Sequence, residues 1–286
     1  MFAANFEYHR AGSVAEARQL LAAHPGAKLL AGGHSLIPLL KLRLAAPEAV
    51  IDIGRIGELR GISNGGGALR IGALTTHAEI ASSDAVKSGA AALAEAAGLI
   101  GDPAVRNRGT IGGNVAHADP ASDLPTVLIA LDATFTVNSP DGERSVSAAD
   151  FFQGMMATAL GEHDILTAVN VPAGGGGSAY VKFSHPASRY AVVGAAASLT
   201  VAGGTCTSAS VAVGGATAVP ARCASVEAAL AGQALSADVI AAAAAAAGGD
   251  LGDDLLGDVF ASGDYRRAVT HVYVQRALAA AAERAG

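Results

Sequence analysis

The apolar positions in the N-terminal part of the chain follow a helical period and then short strand-like runs. Val14, Ala17 and Leu20 recur at helical spacing. They follow Ser13, which forms a capping-box pattern with Glu16 and so marks a helix start. The pattern then predicts a strand at 28–31, a helix at 36–44 and a strand at 50–53. These elements together predict a small α/β unit.

Shorter elements are predicted from residue 65 onwards. Gly65, Gly66 and Gly67 indicate a hairpin turn, and Thr76 can cap a short helix that runs to Ile80. A longer helix is predicted at 85–100, because this stretch is rich in alanine, the best helix former. The remaining predictions are a helix at 126–130, a hairpin around 140–142 and a strand at 165–171.

Four consecutive glycines, Gly174 to Gly177, are the clearest linker signal in the chain. After them the pattern predicts strands and then helices, the order of an α+β domain. The strands fall at 179–184, 190–201 and 206–213, and the helices at 225–231, 236–247 and 264–285. We therefore expect an α+β protein with domains at 1–173 and 178–286, the first divided into subdomains of about 1–57 and 58–173.

Composition narrows the possible functions. The chain has 286 residues, 51% of them hydrophobic, which is enough for sizeable cores. Its net charge of −6 argues against a nucleic-acid surface. Two cysteines, Cys206 and Cys223, are too few for a [2Fe–2S] cluster held by this chain alone. The N-terminus lacks a signal-peptide pattern and the run Ala241–Ala247 is too short to cross a bilayer, so we expect a cytoplasmic protein.

Two glycine motifs carry the candidate chemistry. In Ala31-Gly32-Gly33-His34-Ser35 a strand leads through two glycines into a helix that Ser35 can cap, and Thr110-Ile111-Gly112-Gly113-Asn114 has the same character. Glycine lets backbone N–H groups approach a ligand, and a helix N-terminus favours anions. The motifs could hold the phosphates of one dinucleotide. The alternative is two ordinary Gly-Gly turns, since short glycine motifs recur by chance.

The segments 31–41 and 102–114, which contain these motifs, resemble the FAD-binding medium subunit of the molybdenum hydroxylases. This family includes xanthine dehydrogenase, aldehyde oxidoreductases and aerobic carbon monoxide dehydrogenase. The resemblance runs from Phe6–Arg10 to the C-terminal helix, and the run that follows His34 looks most like the carbon monoxide dehydrogenase branch. The segment His185–Arg189 departs from that branch.

The resemblance implies a fold and a cofactor. It implies a FAD-binding domain of the vanillyl-alcohol-oxidase (PCMH) type in two subdomains, followed by a C-terminal antiparallel sheet with helices. FAD is expected to be noncovalent, although a histidine at the position of His34 is bonded to the flavin in some related folds. The implied FAD-binding residues are Lys28, Leu29, Leu30, Ala31, Gly32, Gly33, His34, Ser35, Ile100, Thr110, Ile111, Gly112, Gly113, Asn114, Asp123, Leu166, Lys182 and Tyr190.

Individual roles also come from the resemblance. Asp123 would accept a hydrogen bond from a sugar or ribityl hydroxyl, Lys182 would lie near the flavin, and Tyr190 would lie on or beside its ring. Each has an alternative: Asp123 as a helix cap, Lys182 as a solvated strand residue and Tyr190 as a core residue. Ile100 and Leu166 would pack against the rings but are core residues in either case. Neither a catalytic residue nor a metal ligand is predicted in this chain.

The resemblance further implies that the chain works only within a complex. Molybdopterin and two [2Fe–2S] clusters would belong to a large and a small partner subunit, in a dimer of heterotrimers. Electrons would pass through FAD to a quinone or carrier, with the complex at the inner face of the membrane. Three alternatives remain open: the same role in an aldehyde or N-heterocycle (xanthine-like) dehydrogenase, a stand-alone flavin oxidase, and a non-catalytic nucleotide-binding or assembly protein.

Overall fold

The computed structural model describes residues 2–172, 174 and 177–286 of the chain. Of the predicted glycine linker, residues 175 and 176 therefore lie outside the described part, and Gly177 begins a strand. The predicted domain boundary stays a prediction.

The N-terminal part folds around a small parallel sheet with strand order β1-β3-β2. Its elements are β1 (Glu7–Arg10), α1 (Val14–Ala23), β2 (Lys28–Leu30), α2 (Leu36–Leu42) and β3 (Ala49–Asp52). Helix α1 begins as predicted, because the hydroxyl of Ser13 accepts a hydrogen bond from the N–H of Glu16 at 3.1 Å. Its buried face packs against the central strand β3 and closes a first core.

A five-stranded antiparallel sheet with order β4-β5-β10-β6-β7 organises the next part. The predicted hairpins form here, and Gly66 and Gly67 both have positive φ, as a tight two-residue turn requires. The elements are β4 (Ile62–Gly65), β5 (Ala68–Gly72), α3 (His77–Ser82), α4 (Asp84–Gly89), α5 (Ala91–Leu99), α6 (Pro103–Arg106), α7 (Ile111–His117), α8 (Asp123–Ala130), β6 (Thr134–Ser139), β7 (Gly142–Ser147), α9 (Ala148–Phe151), β8 (Phe152–Gly154), β9 (Ala157–Thr158) and β10 (Ile165–Pro172).

The long helix predicted at 85–100 was wrong in one respect. The chain breaks at Ala90, where φ is −156° and ψ is 64°, and forms α4 and α5 instead. Helix α4 buries Val86, and α5 buries an almost continuous set of alanines and Leu93. Gly89, which directly precedes the break, favours a helix end there, while the alanines that follow favour a helix without marking where it begins.

A second antiparallel sheet, with order β11-β12-β13-β14, and three helices form the C-terminal part, as predicted. Its elements are β11 (Gly177–Ser184), β12 (Ala191–Ala202), β13 (Thr205–Gly214), β14 (Ala221–Arg222), α10 (Ala224–Leu230), α11 (Ala237–Ala244) and α12 (Gly263–Ala285). The long helix α12 packs on β11 and β12.

The C-terminal sheet is covered by helices on both faces. Helices α5 and α8 pack against it from the preceding part of the chain, opposite α12. Successive residues of β12 enter different cores: Ala196 joins the core that contains α5 and α8, while Ala195 and Ala197 join the core under α12. This explains why β12 is apolar throughout instead of alternating, and it brings β11 and the start of β12 against α8.

Candidate functional site

The first glycine motif forms the turn between β2 and α2. Gly33 has φ +80°, a left-handed conformation that favours glycine. A Cβ on Gly32 would collide with the carbonyl oxygen of Arg108, so this glycine lets the two motifs approach each other. The predicted cap was wrong: Ser35 already has helical backbone angles and its side chain makes no capping hydrogen bond within the described residues. An N-cap residue needs an extended backbone.

The second motif is the first turn of α7, capped by Thr110. Its hydroxyl accepts a hydrogen bond from the N–H of Gly113 at 3.2 Å. The backbone is helical here, so neither Gly112 nor Gly113 has a positive φ. Gly112 allows close packing, because its N–H donates to the Ala73 carbonyl at 2.8 Å and a Cβ would overlap that residue. Gly113 is exposed, and a Cβ there would lie 3.8 Å from the Cβ of Ala31.

The two motifs meet in one cleft of about 100 Å³. Its lining residues are Ala31, Gly32, Gly54, Arg60, Leu74, Thr76, Asn107, Arg108 and Thr110. Arg60 and Arg108 add positive charge that suits a phosphate, and the sequence interpretation assigned a role to neither. Ligand pockets usually measure roughly 300–1,000 Å³, so this cleft can hold only part of a dinucleotide. A cleft of about 290 Å³ at the β6–β7 hairpin contains none of the predicted site residues.

Residues of the two motifs also contact the elements on either side of the cleft, α6 and the start of α8. The Nε2 atom of His34 lies 3.2 Å from the carbonyl oxygen of Ala104, at helix α6. At the other end of the second motif, the hydroxyl of Ser122 donates a hydrogen bond to Oδ1 of Asn114 at 2.8 Å. The next residue is Asp123, the first of α8.

Asp123 is the centre of a buried ionic cluster. Its Oδ1 accepts a hydrogen bond from the Tyr180 hydroxyl at 2.5 Å, and its Oδ2 from the Lys182 ammonium at 2.8 Å. The Lys182 ammonium also donates to the carbonyl oxygens of Leu99 at 3.0 Å and Arg189 at 2.9 Å. The side chains of Lys182 and Asp123 are only 1% and 5% exposed. Lys182 is therefore not a solvated strand residue.

Burial raises the pKa of two groups in this cluster, Asp123 and Tyr180. It raises the pKa of the Asp123 carboxyl, and the Lys182 ammonium opposes that shift. Burial and the adjacent Asp123 carboxylate raise the pKa of the Tyr180 hydroxyl well above its usual value. Asp123 is not a helix cap either, since Ser122 occupies the N-cap position of α8. Tyr180 was missed by the sequence interpretation, in which it was one apolar position of a predicted strand.

Tyr190 lies at the edge of the same region, just before β12. It is 46% exposed, so the alternative of a core residue was wrong. The guanidinium of the preceding Arg189 donates to the Gly101 carbonyl at 3.1 Å, which ties this turn to the end of α5. Partial burial, with the charges of Asp119 and Asp123, raises the pKa of the Tyr190 hydroxyl.

Ile100 and Leu166, which were predicted to pack against the rings of FAD, differ in how deeply they are buried. Ile100 is half-buried at the end of α5, where its carbonyl accepts a hydrogen bond from the Arg106 guanidinium at 2.9 Å. Leu166 is 6% exposed, packs in the core of the five-stranded sheet and is not among the residues that line the cleft. Contact of either residue with FAD stays a prediction.

His77 is a second residue that the sequence interpretation missed. Its side chain is buried behind the second motif, where a Cβ on Gly109 would lie 2.8 Å from the imidazole ring. Its Nδ1 has no hydrogen-bond partner among the described residues. Burial, with smaller contributions from His34 and Arg106, lowers the pKa of His77 to about 4. The imidazole is therefore neutral near pH 7.

Comparison with known proteins gives consistent matches over the chain. Residues 4–174 match the FAD binding domain in molybdopterin dehydrogenase, and residues 178–281 match the CO dehydrogenase flavoprotein C-terminal domain. The chain is 42% identical to the carbon monoxide dehydrogenase medium chain of Hydrogenophaga pseudoflava, over 98% of both chains. It is 40% identical to the 6-hydroxypseudooxynicotine dehydrogenase complex subunit alpha of Paenarthrobacter nicotinovorans, over 98% of this chain and 96% of the other.

The fold is likewise that of a solved structure. Carbon monoxide dehydrogenase from Hydrogenophaga pseudoflava, in a form that lacks the Mo-pyranopterin moiety, superposes with a TM-score of 0.95 at 42% identity. The match covers 100% of both chains.

Proposed function

The chain belongs to the FAD-binding subunits of the molybdopterin dehydrogenases, the molybdenum hydroxylase family, and on that premise we propose that it relays electrons within such a complex. FAD is its cofactor and the enzyme is an oxidoreductase, as the sequence predicted. The proposed donor is a [2Fe–2S] cluster of a small partner subunit, and the proposed acceptor is a quinone. The large partner subunit would carry the molybdenum site and choose the substrate.

The observation that carries this proposal is the meeting of the two glycine motifs. A cradle for a pyrophosphate needs backbone close to the ligand and positive charge without bulky side chains. The cleft offers both, since Gly32 lines it without a side chain and two arginines border it. Gly113 does not line the cleft itself but is exposed beside Ala31, which does. The residues present thus fit a phosphate group, and we assign the segments 28–35 and 110–114 to the pyrophosphate side of FAD.

The region around Asp123 would hold the ribityl and flavin side. Bound FAD would supply a centre that exchanges electrons with one-electron clusters on one side and an organic acceptor on the other. The protein's part is to position that centre and to set the charge around it. Asp123 has lone pairs beyond the two used by Tyr180 and Lys182, so it can still accept a hydrogen bond from a hydroxyl. The adjacent Lys182 ammonium would stabilise negative charge on the reduced cofactor.

Noncovalent attachment is part of the proposal. Nε2 of His34 faces the Ala104 carbonyl, and this interaction holds the imidazole at α6. We expect acid precipitation of the purified chain to release the yellow chromophore into the supernatant. A chromophore that stays with the pellet in the wild type, and is released from a His34→Gln variant, would contradict this.

We assign carbon monoxide as the substrate of the complex, on the identity to a carbon monoxide dehydrogenase medium chain. The specific alternative is an aldehyde or N-heterocyclic substrate, because identity to a 6-hydroxypseudooxynicotine dehydrogenase subunit is only two percentage points lower, 40% against 42%. Substrate choice would lie in the large subunit. Assaying the assembled complex with each substrate class distinguishes the two.

The acceptor side can be tested through Tyr190. This half-exposed ring would cover one face of the flavin and control access of the acceptor. Among the described residues, none of the helices has the length and apolar character needed to span a membrane. We propose that the complex reaches a membrane quinone from the inner face of the membrane.

The experiment reduces the assembled complex with its substrate and mixes it rapidly with a soluble quinone or with NAD⁺, following flavin absorbance. We expect fast reoxidation by the quinone, and a Tyr190→Ala variant that changes this rate more than the rate of substrate oxidation. Fast reoxidation by NAD⁺ and none by quinone would overturn the assigned acceptor.

A further inference from the structure

A cluster of possible metal ligands lies in the N-terminal part, outside the FAD site. Glu7 and His9 are two residues apart on β1, so their side chains leave the same face of the sheet. His24 ends helix α1, which packs over that face. One donor atom from each of the three side chains falls within 4.8 Å of the other two. The spacing 7, 9, 24 gave no sequence signal, because the fold alone brings His24 back to β1.

The distances inside this cluster suit a tetrahedral cation. Oε2 of Glu7 lies 3.3 Å from Nε2 of His9 and 3.7 Å from Nδ1 of His24. Zinc binds imidazole nitrogen and carboxylate oxygen at roughly 2.0–2.2 Å, which places neighbouring ligand atoms about 3.4 Å apart. The two separations from Glu7 need little adjustment to reach that geometry, and one nitrogen of each imidazole lies within 4.8 Å of a nitrogen of the other.

The orientation of the two rings also suits a shared cation. The two imidazole rings lie with centroids 4.3 Å apart and both direct a nitrogen to one carboxylate oxygen. Imidazole nitrogens and a carboxylate oxygen are ligands that a divalent cation of the zinc class prefers.

We propose that Glu7, His9 and His24 form a binding site for a divalent transition cation of the zinc class. Two imidazoles and a carboxylate leave a fourth position for water. The side chains of His9 and His24 are 28% and 29% exposed, so a cation can enter from solvent. The bound cation would join β1 to the end of α1, just before the strand that leads into the first glycine motif. Its role would be to stabilise this small sheet.

The test uses the full chain, FAD-loaded, without a polyhistidine tag and freed of metal by a chelator. We expect calorimetric titration with Zn²⁺ to show one equivalent bound, and Co²⁺ to give the visible absorption of a tetrahedral site. His9→Gln and His24→Gln should each weaken Zn²⁺ binding by about tenfold or more, since losing a ligand costs at least as much as losing an outer-shell partner. Zn²⁺ should raise the melting temperature of the wild type but not of these variants.

The matched control is His271→Gln, which removes an exposed histidine on α12 and should bind Zn²⁺ like the wild type. Retained FAD absorbance shows that each variant is folded. Wild-type protein that binds no zinc below about 100 μM, a binding free energy of roughly −5.5 kcal/mol, would overturn the proposal. Equal Zn²⁺ affinity in the His9, His24 and His271 variants would overturn it as well.

Discussion

At the scale of single residues, Gly113 is a position where a substitution is expected to weaken FAD binding with little effect on folding. Its backbone is helical, and a Cβ would approach only the Thr110 hydroxyl at 2.9 Å and the Ala31 Cβ at 3.8 Å. Gly33 is less informative, because any side chain at φ +80° is strained. We predict that Gly113→Ala lowers FAD affinity about tenfold or more, a cost of about 1.4 kcal/mol or above. Unfolding of the FAD-free chain should change by only about 1 kcal/mol.

Titration of the FAD-free protein with FAD, followed by flavin fluorescence, measures the affinity. Gly249→Ala is the control, because a Cβ there would meet nothing within 4 Å and this glycine lies in the C-terminal part. Equal FAD affinity in the two variants would contradict the placement of Gly113 in the cradle.

His77 should make stability depend on pH. Its pKa is about 4 in the folded chain, against about 6.5 when unfolded. Below pH 6.5 the unfolded chain therefore takes up a proton that the folded chain excludes, so stability is full above that pH and falls as the pH approaches 4. When the pH is lowered from 7.5 to 5.0, this one group should lower the free energy of unfolding by about 2 kcal/mol.

The measurement compares urea unfolding of the wild type, His77→Phe and His271→Gln at both pH values. His77→Phe should lose about 2 kcal/mol less than the wild type on acidification, while His271→Gln should behave like the wild type. An equal loss in His77→Phe and in the wild type would mean that His77 takes up its proton in the folded chain.

The sequence predicts the role of a single residue when the groups it contacts are close to it in the chain. Gly33 and Thr110 follow from local chemistry, a left-handed turn and a helix cap. Tyr180 and Arg60 could not be found this way, since their roles depend on contacts with residues far away in the chain. Ser35 shows the opposite error, because a sequence that permits a cap does not fix the backbone angles that a cap needs.

At the scale of elements, Asp123 and Lys182 hold helix α8 against strand β11. Their ion pair is almost fully buried. Removing one member leaves the other as an unpaired buried charge, which typically costs about 3–5 kcal/mol. We predict that Asp123→Asn and Lys182→Met each destabilise the chain by about this amount, and that the double variant is destabilised by clearly less than the sum.

A double-mutant cycle from urea unfolding of the FAD-free chain gives the coupling free energy. Lys87→Met is the control, since Lys87 pairs with the exposed Asp84 on the surface and should contribute about 0–1 kcal/mol. Additive effects of Asp123→Asn and Lys182→Met would show that the two groups do not act as a pair.

Most elements are predictable from periodicity, and the failures have separate causes. The strands and helices of the C-terminal part follow from their apolar runs and turn residues. The break at Ala90 was missed because the alanine-rich stretch was treated as one helix, although Gly89 ends α4 directly before it. The strand β1 is four residues long and mostly exposed, so it has no clear alternation of apolar and polar positions.

At the scale of the whole molecule, the C-terminal sheet forms one wall of the region around Asp123. Lys182 comes from β11 and contacts Leu99 of α5 and Asp123 of α8. Tyr190 precedes β12, and the neighbouring Arg189 contacts Gly101, which follows α5. The two glycine motifs and their order in the sequence are enough to predict the family. The position of the C-terminal sheet beside Asp123 could be seen only in the folded chain. The proposed zinc-class site is similar, in that it joins residues 7 and 24 across the first strand and helix.

The most direct test of the account is whether the flavin of this subunit is reduced through its partners. The assembled complex and the isolated FAD-loaded chain are mixed anaerobically with carbon monoxide, and flavin bleaching is followed by stopped-flow absorbance. We predict rapid bleaching in the complex and none in the isolated chain. Bleaching of the isolated chain, or a complex whose iron–sulfur clusters are reduced while the flavin stays oxidised, would contradict the proposed electron relay.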